Sequence, residues 1–504
     1  MKSYQFQKTT KLVLPFAILW GIAVMFFYNF PLTLSDLTLS AKGLKGLLGE
    51  SVGNYGTDLL CGLTLSGGLV CNVIFASLLA LCVVLLLSYN DADRSYLYYL
   101  TMAMVLVAPK GIFGHTYASV QGAARTLIPT ALLLTYLATM CDLFRFKGRK
   151  KTWKIPFVFL WGLMTSLFDE GLAVAALILS ILLAVLLMKK HGFNAHALAH
   201  TIGVLGGFVF SLSVGGSYQA PAASLVTVVR QFSKAVDALF LYNWVVIGVL
   251  TVISLFYMRP ARTERSANCN RTLFLLLGSV VLLLALRVTD SALRAYPTVD
   301  LYLSAIKLVA AGMFLFGLYR VAQHYVSKDY VTLRVRNNIF AVIVCIAVYT
   351  FTDGATEEFL FFPFLTMVSC ALSLFVNLTR RYSSLEASMK KYFIAFGVLI
   401  CGVMCFITIS NAQTIGVMDR YAREQIDAGQ TEIILPALPY GAYGDPDLQV
   451  GSVLSGEYGT VTFAPYDQWD WATYFETHNV PIIEEYDPEK ASTENDVIFE
   501  EDLQ

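Results

Sequence analysis

Two adjacent carboxylates, Asp169 and Glu170, stand between two apolar runs of a chain that is otherwise poor in charge. Charge close to hydrocarbon is expensive and is usually kept for a use. A carboxylate so placed can bind a substrate hydroxyl, a cation or an acceptor; an ordinary polar hairpin tip has the same sequence. A second group is cationic: Lys110, His115 and Arg125, the last about two turns into the next apolar run. Arginine at that depth needs an anion, and a lipid-linked phosphate would supply one through bidentate hydrogen bonds. Snorkelling toward headgroups would satisfy it too, and the same two readings apply to Arg287 and Lys307. Asp36 and Asp58 lie in the long polar stretch after the first apolar run. A carboxylate there can act as general base on an acceptor hydroxyl or bind a divalent cation; a solvated loop acid is the plainer reading of each. His196 and His200 have the i, i+4 spacing of a metal pair, but no third ligand is evident and they read as interfacial. No phosphate-binding loop, HExxH, GxSxG or dinucleotide fingerprint stands in a supporting context, and nothing points to nucleic acid.

The elements that must position these residues are helices in a bilayer. Of 504 residues 56% are hydrophobic and 14% charged, against about 25% charged in soluble domains. The apolar residues come in blocks long enough to cross roughly 30 Å of hydrocarbon, without the alternation of a membrane β-barrel. The pattern predicts an all-α polytopic membrane protein with about thirteen spans, eleven to fourteen being compatible. They fall near 12–29, 69–89, 95–108, 119–142, 155–168, 171–188, 200–216, 238–257, 272–288, 300–322, 337–352, 358–377 and 391–410, the third, fifth and eleventh being short. The first has no small-residue cleavage site after Phe30 and reads as a retained span.

Orientation follows from the basic loops. With the N-terminus inside, the Arg145–Lys151 cluster, Lys189/Lys190, Arg259–Arg271, Lys328–Arg336 and Arg380–Lys391 all fall on the cytoplasmic side. The other face then receives the first loop (31–68), a Pro109–His115 turn, the Phe168–Gly171 turn, a Gly215–Asp237 segment, and the acids Asp290, Asp300, Asp353, Glu357 and Glu358 at span ends. An odd span count exports residues 411–504. From Asn411 on, 19 Asp and Glu stand against 3 Lys and Arg, leaving 17 acidic and 33 basic of the 36 of each for residues 1–410. The tail reads as a helix over Thr414–Asp427, a turn at Ala428–Gly429, an extended Thr431–Leu438, an aromatic Tyr466–Phe475 segment and a disordered acidic end of about fifteen residues. The nine cysteines form no CxxC pair and read as helix-packing thiols; Cys61 and Cys71 could pair if the first loop is exported.

The order of features, one span, a long exported loop, then many spans with shallow acidic turns, resembles the GT-C class of membrane glycosyltransferases. More narrowly, it resembles a bacterial family of multi-spanning, GT-C-like proteins, and it is similar in layout to the serotype-converting O-antigen glucosyltransferases. The residues that carry the likeness are Asn29–Asp36, Ala118–Arg125, Ser166–Gly171, Ile434–Tyr440 and Trp469–Tyr474. The resemblance implies a bacterial plasma-membrane enzyme with an exported active site. Its donor would be a polyprenyl-phosphate sugar, its acceptor a cell-surface glycan or lipid-linked saccharide, and its outcome inversion at the anomeric carbon. Asp36 would be the base, Asp169 and Glu170 would line the acceptor or metal site, and Arg125 would meet the donor phosphate. Asp36 departs from the pattern in standing alone between Ser35 and Leu37, where such enzymes often show two neighbouring acids. A transporter or flippase of lipid-linked saccharides, a polymerase, and a non-catalytic envelope assembly protein are the rival readings.

Overall fold

The computed structural model describes residues 2–29, 54–64, 69–92, 94–145, 152–213, 225–263, 267–293, 297–326, 328–352, 356–430, 432–444, 460–471 and 474. Asp36, Asp290, Asp353 and the acidic end of the chain lie outside the described residues or side chains. The chain is a multi-pass membrane protein built of helices, as an apolar solvent that cannot hydrogen-bond the backbone requires. In chain order these are α1 (Lys2–Tyr28), α2 (Tyr55–Thr64), α3 (Leu69–Tyr89), α4 (Ser95–Leu106), α5 (Lys110–Tyr117), α6 (Val120–Arg145), α7 (Ile155–Thr165) and α8 (Glu170–His191). They continue as α9 (Ala195–Ser213), α10 (Leu225–Val236), α11 (Trp244–Thr263), α12 (Ala267–Leu293), α13 (Pro297–His324), α14 (Asp329–Phe351), α15 (Phe361–Arg381) and α16 (Ser383–Asp427). Among the described residues nine helices are long and apolar enough to cross a membrane, or eleven if two bent pairs each count as one span.

The bent pairs differ from the expected loops. α4 turns by 98° into α5, so the stretch read as a Pro109–His115 turn is mostly helical. Pro109 sits extended (ψ 144°) just before α5; a proline at a helix start loses no intrahelical hydrogen bond. The segment from Gly215 holds amphipathic α10, which runs into a π-helical turn, Asp237–Leu241, and meets α11 at a 60° bend.

α15 is the central post: nearly every residue from Phe361 to Thr379 is buried. Polar side chains fasten it at one end. Asn90 donates to Ser369 Oγ (3.0 Å) and accepts from Ser373, while Asn377 donates to Tyr257 OH (2.8 Å). Between α7 and α9 the fastening is by close approach. A Cβ on Gly162, Gly203 or Gly207 would collide with backbone of the facing helix, the small-residue packing that holds helices together in lipid. Ser166 Oγ adds a bond to Val204 O at 2.9 Å.

α16 has 45 residues and is about 67 Å long, so it leaves the bundle and carries the tail. The expected tail helix is thus its continuation. A two-stranded parallel sheet pairs β1 (Glu432–Pro436) with β2 (Thr460–Ala464). Met418, Ala422, Ile433, Leu435 and Leu438 form a small core there. Trp469 Nε1 donates to Ile434 O at 3.2 Å, and its ring stands 4.7 Å from Trp471. The nine cysteines are buried thiols, so Cys61 and Cys71 form no disulfide.

Candidate functional site

The helix directions sort the charges to two ends of the bundle. Arg145, Lys189, Lys190, Lys328, Arg334 and Arg380 stand at helix ends on one side. The starts of α6, α8 and α15 stand at the other, with α5 and the tail. Phe113 of α5 packs edge-on to Tyr443 at 5.2 Å, and Lys110 lies 5.8 Å over the Tyr443 ring. Asn411 holds the approach to that contact, donating to Tyr440 O and accepting from Tyr440 N, both at 3.1 Å.

At this acidic end two doublets of acids open two apolar helices: Asp169–Glu170 opens α8, and Glu357–Glu358 forms a short 3₁₀ turn that opens α15. Arg125, in the second turn of α6, lies between them. Its Nη1 donates to Glu358 Oε1 at 3.2 Å, and Glu358 is 6% exposed. After Glu358, Asp169 and then Asp58 act most strongly on the guanidinium. Arg125 Nε is enclosed without a hydrogen-bond partner. The anion expected for Arg125 is therefore present within the protein, as Glu358.

Asp169 is the N-cap of α8, its Oδ1 accepting from Leu172 N at 2.7 Å, a common arrangement at a helix start. Burial pushes its carboxyl above the usual carboxylate range; the Leu172 amide and Arg125 pull it down, and Glu358 adds to the rise. Glu170 caps nothing. Its Oε1 is enclosed and has no hydrogen-bond partner among the described residues. Asp58 is brought in by α2, which docks on the acidic turn: Gly56 N donates to Leu167 O (2.7 Å) and Thr57 Oγ1 to Phe168 O (2.6 Å).

One glycine makes room for the second doublet: the Glu357 carboxylate occupies the space a Cβ on Gly111 would fill, whereas at Gly122 that space is taken by the His115 backbone carbonyl. Gly171 rests against the Phe359 ring, so the doublets are neighbours. His115 and Lys234 are the cations that act on Glu357. Beside them Lys307 Nζ donates to Asp237 Oδ2 (2.8 Å) and Ser233 Oγ (2.9 Å), with both charges nearly buried. At the α10–α11 bend both amide atoms of Asn243 and Trp244 Nε1 are enclosed without a partner.

The site is recessed. α4 has 12 residues and α7 has 11, about 18 and 16 Å of rise, against roughly 30 Å of hydrocarbon. The α4–α5 bend therefore falls short of the level that full-length spans reach, while the Asp169 turn opens the 22-residue α8. Next to this recess a 940 Å³ cavity runs between α10, α13 and α14, walled by Phe232, Leu308, Phe316, Ile343 and Phe351, with Ser304 and Thr350 at one end and Tyr319 and Arg336 at the other.

Of the residues singled out in the sequence, Asp58, Lys110, His115, Arg125, Asp169 and Glu170 all fall at this end, while Asp36 is outside the described residues. Arg287 is at this end too, but on the α10–α11 side, stacked on Trp244 at 5.1 Å. His200 is buried, stacked on Tyr136 at 3.7 Å, with Nδ1 3.1 Å from Ser180 Oγ, so it packs helices together. No three His, Cys, Asp or Glu side chains among the described residues are grouped to hold a metal ion. Glu358 as partner of Arg125 had one sequence signal, its pairing with Glu357 at the start of an apolar run, the same pattern as Asp169–Glu170. Compared with known proteins, the chain matches no family model, no curated protein and no solved structure.

Proposed function

We propose that the chain is a membrane glycosyltransferase of GT-C-like layout that moves a sugar from a polyprenyl-phosphate donor to a cell-surface glycan or lipid-linked acceptor. One observation carries the reading: Arg125, paired with Glu358, also feels the charges of Asp169, Asp58 and Glu170, and Glu170 offers an oxygen with no partner among the described residues. In this reading Arg125 and Glu358 are the frame, and Asp169 holds the turn. A carboxylate, Asp36 or Asp58, takes the proton from an acceptor hydroxyl. The acceptor oxygen bonds to the anomeric carbon from the face opposite the phosphate, and the carbon–oxygen bond to the phosphate breaks with its electron pair leaving on the phosphate. Glu170 orients the acceptor by accepting from a second hydroxyl. Lys110 and His115, toward the tail, meet the donor phosphate, and the apolar cavity takes its lipid chain.

The basic loops favour a cytoplasmic N-terminus and an exported tail in a bacterial plasma membrane. Counting the bent pairs and the short apolar helices Val13–Tyr28 and Ile155–Thr165 as crossings gives the odd number this needs. The reading is tested by comparing surface glycans of cells with and without the gene: loss of one sugar supports it, and identical glycans contradict it.

The two broken helix pairs and the long cavity favour a second reading, a flippase for lipid-linked saccharides, since interrupted helices mark transport sites in membranes. Reconstituted vesicles separate the two: the transferase makes a new glycosidic bond, whereas the flippase only moves labelled lipid between leaflets.

A further inference from the structure

The 940 Å³ cavity between α10, α13 and α14 runs from Ser304 to Tyr319 along α13 and from Thr350 to Arg336 along α14. Each stretch rises about 21–22 Å, more than one leaflet's half of roughly 30 Å of hydrocarbon. Both helices are long and apolar enough to cross a membrane. Of the cavity's apolar walls, Leu308, Phe316, Ile343 and Phe351 are exposed, so it opens sideways to the acyl chains of the bilayer. Gly312, midway along the α13 wall, keeps the centre clear: a Cβ there would meet nothing within 4 Å.

Arg336 is the one charged residue among the lining residues, and it stands at the end toward the basic loops. Other cations set into the bundle have an acid: Arg125 has Glu358, Lys307 has Asp237 and Arg334 has Asp91. Arg336 has neutral neighbours instead. Its Nη2 donates to the Asn337 amide oxygen at 3.2 Å, and it lies 5.1 and 5.9 Å from the ring centres of Phe144 and Phe340. Tyr319 and Cys141 act on its charge, and neither is a carboxylate. Its Nε is enclosed without a hydrogen-bond partner among the described residues. The one acid of α14, Asp329, is seven residues away, about 10 Å of rise. Rings support a cation but bring no countercharge, and a charge set into a span is costly unless it meets one.

We propose that the cavity holds an anionic phospholipid of the leaflet at the basic end, one acyl chain lying lengthwise between α13 and α14 and the phosphate on Arg336. A guanidinium pairs with phosphate oxygens through parallel N–H bonds. Tyr319 brings a hydroxyl to the same end, and the open apolar side lets the chain enter from the bilayer. The donor chain of the proposed transferase would enter this cavity from its Ser304–Thr350 end. The site at Arg336 does not rest on that reading, because a bilayer phospholipid needs no acidic recess to bind.

The test uses the full chain in neutral detergent, with Tm followed as dipalmitoyl phosphatidylglycerol, dipalmitoyl phosphatidylcholine or glycerol 3-phosphate is added. Phosphatidylglycerol should raise Tm, phosphatidylcholine should raise it much less, and glycerol 3-phosphate, which has no chain, should not raise it. Arg336→Gln orphans no acid and should bind phosphatidylglycerol about tenfold or more weakly, while Arg336→Lys should keep most of the binding. Gly312→Leu grows into the open centre of the cavity and should weaken binding with Arg336 still in place. Equal responses to the two phospholipids, no response to phosphatidylglycerol, or full binding by Gly312→Leu would overturn the site. So would a rise in Tm with a polyprenyl phosphate and none with phosphatidylglycerol, which would leave the cavity to the donor alone.

Discussion

The two ends of the bundle are near mirror images in charge, each gathering one sign. At the acidic end four carboxylates, those of Asp58, Asp169, Glu170 and Glu358, stand around one guanidinium. At the basic end four cations stand around one carboxylate and one ring. Each end uses one tight ion pair as its frame, Arg125–Glu358 in the first and Arg334–Asp91 in the second. Beyond those pairs the charges that gather have opposite sign: the Glu170 carboxylate at one end, Arg145, Lys328 and Arg380 at the other. The separation follows the topology, since basic side chains are expected at one face of a membrane protein; the acidic end is the one that the proposed function uses.

The largest effect should come from the buried pair beside the recess. Lys307→Ala takes the ammonium away from the enclosed Asp237 carboxylate, and should destabilise the protein by about 3–5 kcal/mol; thermal unfolding in detergent reads it. The matched Lys307→Met/Asp237→Leu variant should recover most of that loss, because the cost lies in the orphaned charge. Next comes the frame. Arg125→Gln exposes Glu358, at 6% accessibility, to the same penalty with one partner partly solvated, so about 2–3 kcal/mol is expected. The equivalent break at the basic end, Arg334→Gln, should be milder, since the Asp91 side chain is 44% exposed. Equal losses at the two ends would remove the distinction drawn between them.

A smaller and sharper effect is expected at the α7–α9 seam. Gly203→Ala pushes a Cβ into Phe159 O, and should cost about 1–3 kcal/mol while also shifting the Asp169 turn that α7 supports. The smallest is the pH dependence of Asp169. Its folded-state carboxyl is raised by burial, so the fold prefers it protonated. That preference imposes no penalty below the ordinary carboxylate value of about 3.9. The penalty grows as pH rises and is complete above the raised value. Asp169→Asn, which keeps a capping oxygen, should flatten this part of the stability–pH curve. A curve left unchanged would show that the carboxyl is not raised.

Much of this was legible in the sequence, and the failures have a common cause. Apolar run length gave the helices, and the short runs 95–108 and 155–168 are the helices α4 and α7 that end early and form the recess. The acid doublet Asp169–Glu170 and the depth of Arg125 were visible because charge inside an apolar run is conspicuous. Their partners were not. Glu358 is 233 residues from Arg125 and Asp237 is 70 from Lys307, and no local periodicity reports such pairings. α5 read as a turn because Pro109, Gly111 and Gly114 are turn residues; Gly111 is there for the Glu357 carboxylate, and Ile112, Phe113 and Tyr117 bury one face. His196 and His200 looked interfacial because their run starts at a basic loop, whereas packing on Tyr136 and Ser180 draws His200 inside.

The account turns on the acidic recess being where chemistry takes place, and Glu170 tests it most directly. Its enclosed oxygen has no hydrogen-bond partner among the described residues, and burial and Asp169 disfavour its charge, so Glu170→Gln should not lower Tm. Transfer of label from a polyprenyl-phosphate-linked sugar to glycan should be measured in membranes carrying wild type, Glu170→Gln, or Arg287→Gln as a control outside the recess. The prediction is loss of transfer of about a hundredfold or more in Glu170→Gln, the range for a positioned carboxylate, with Arg287→Gln near wild type. Full transfer by a stable Glu170→Gln protein would contradict it.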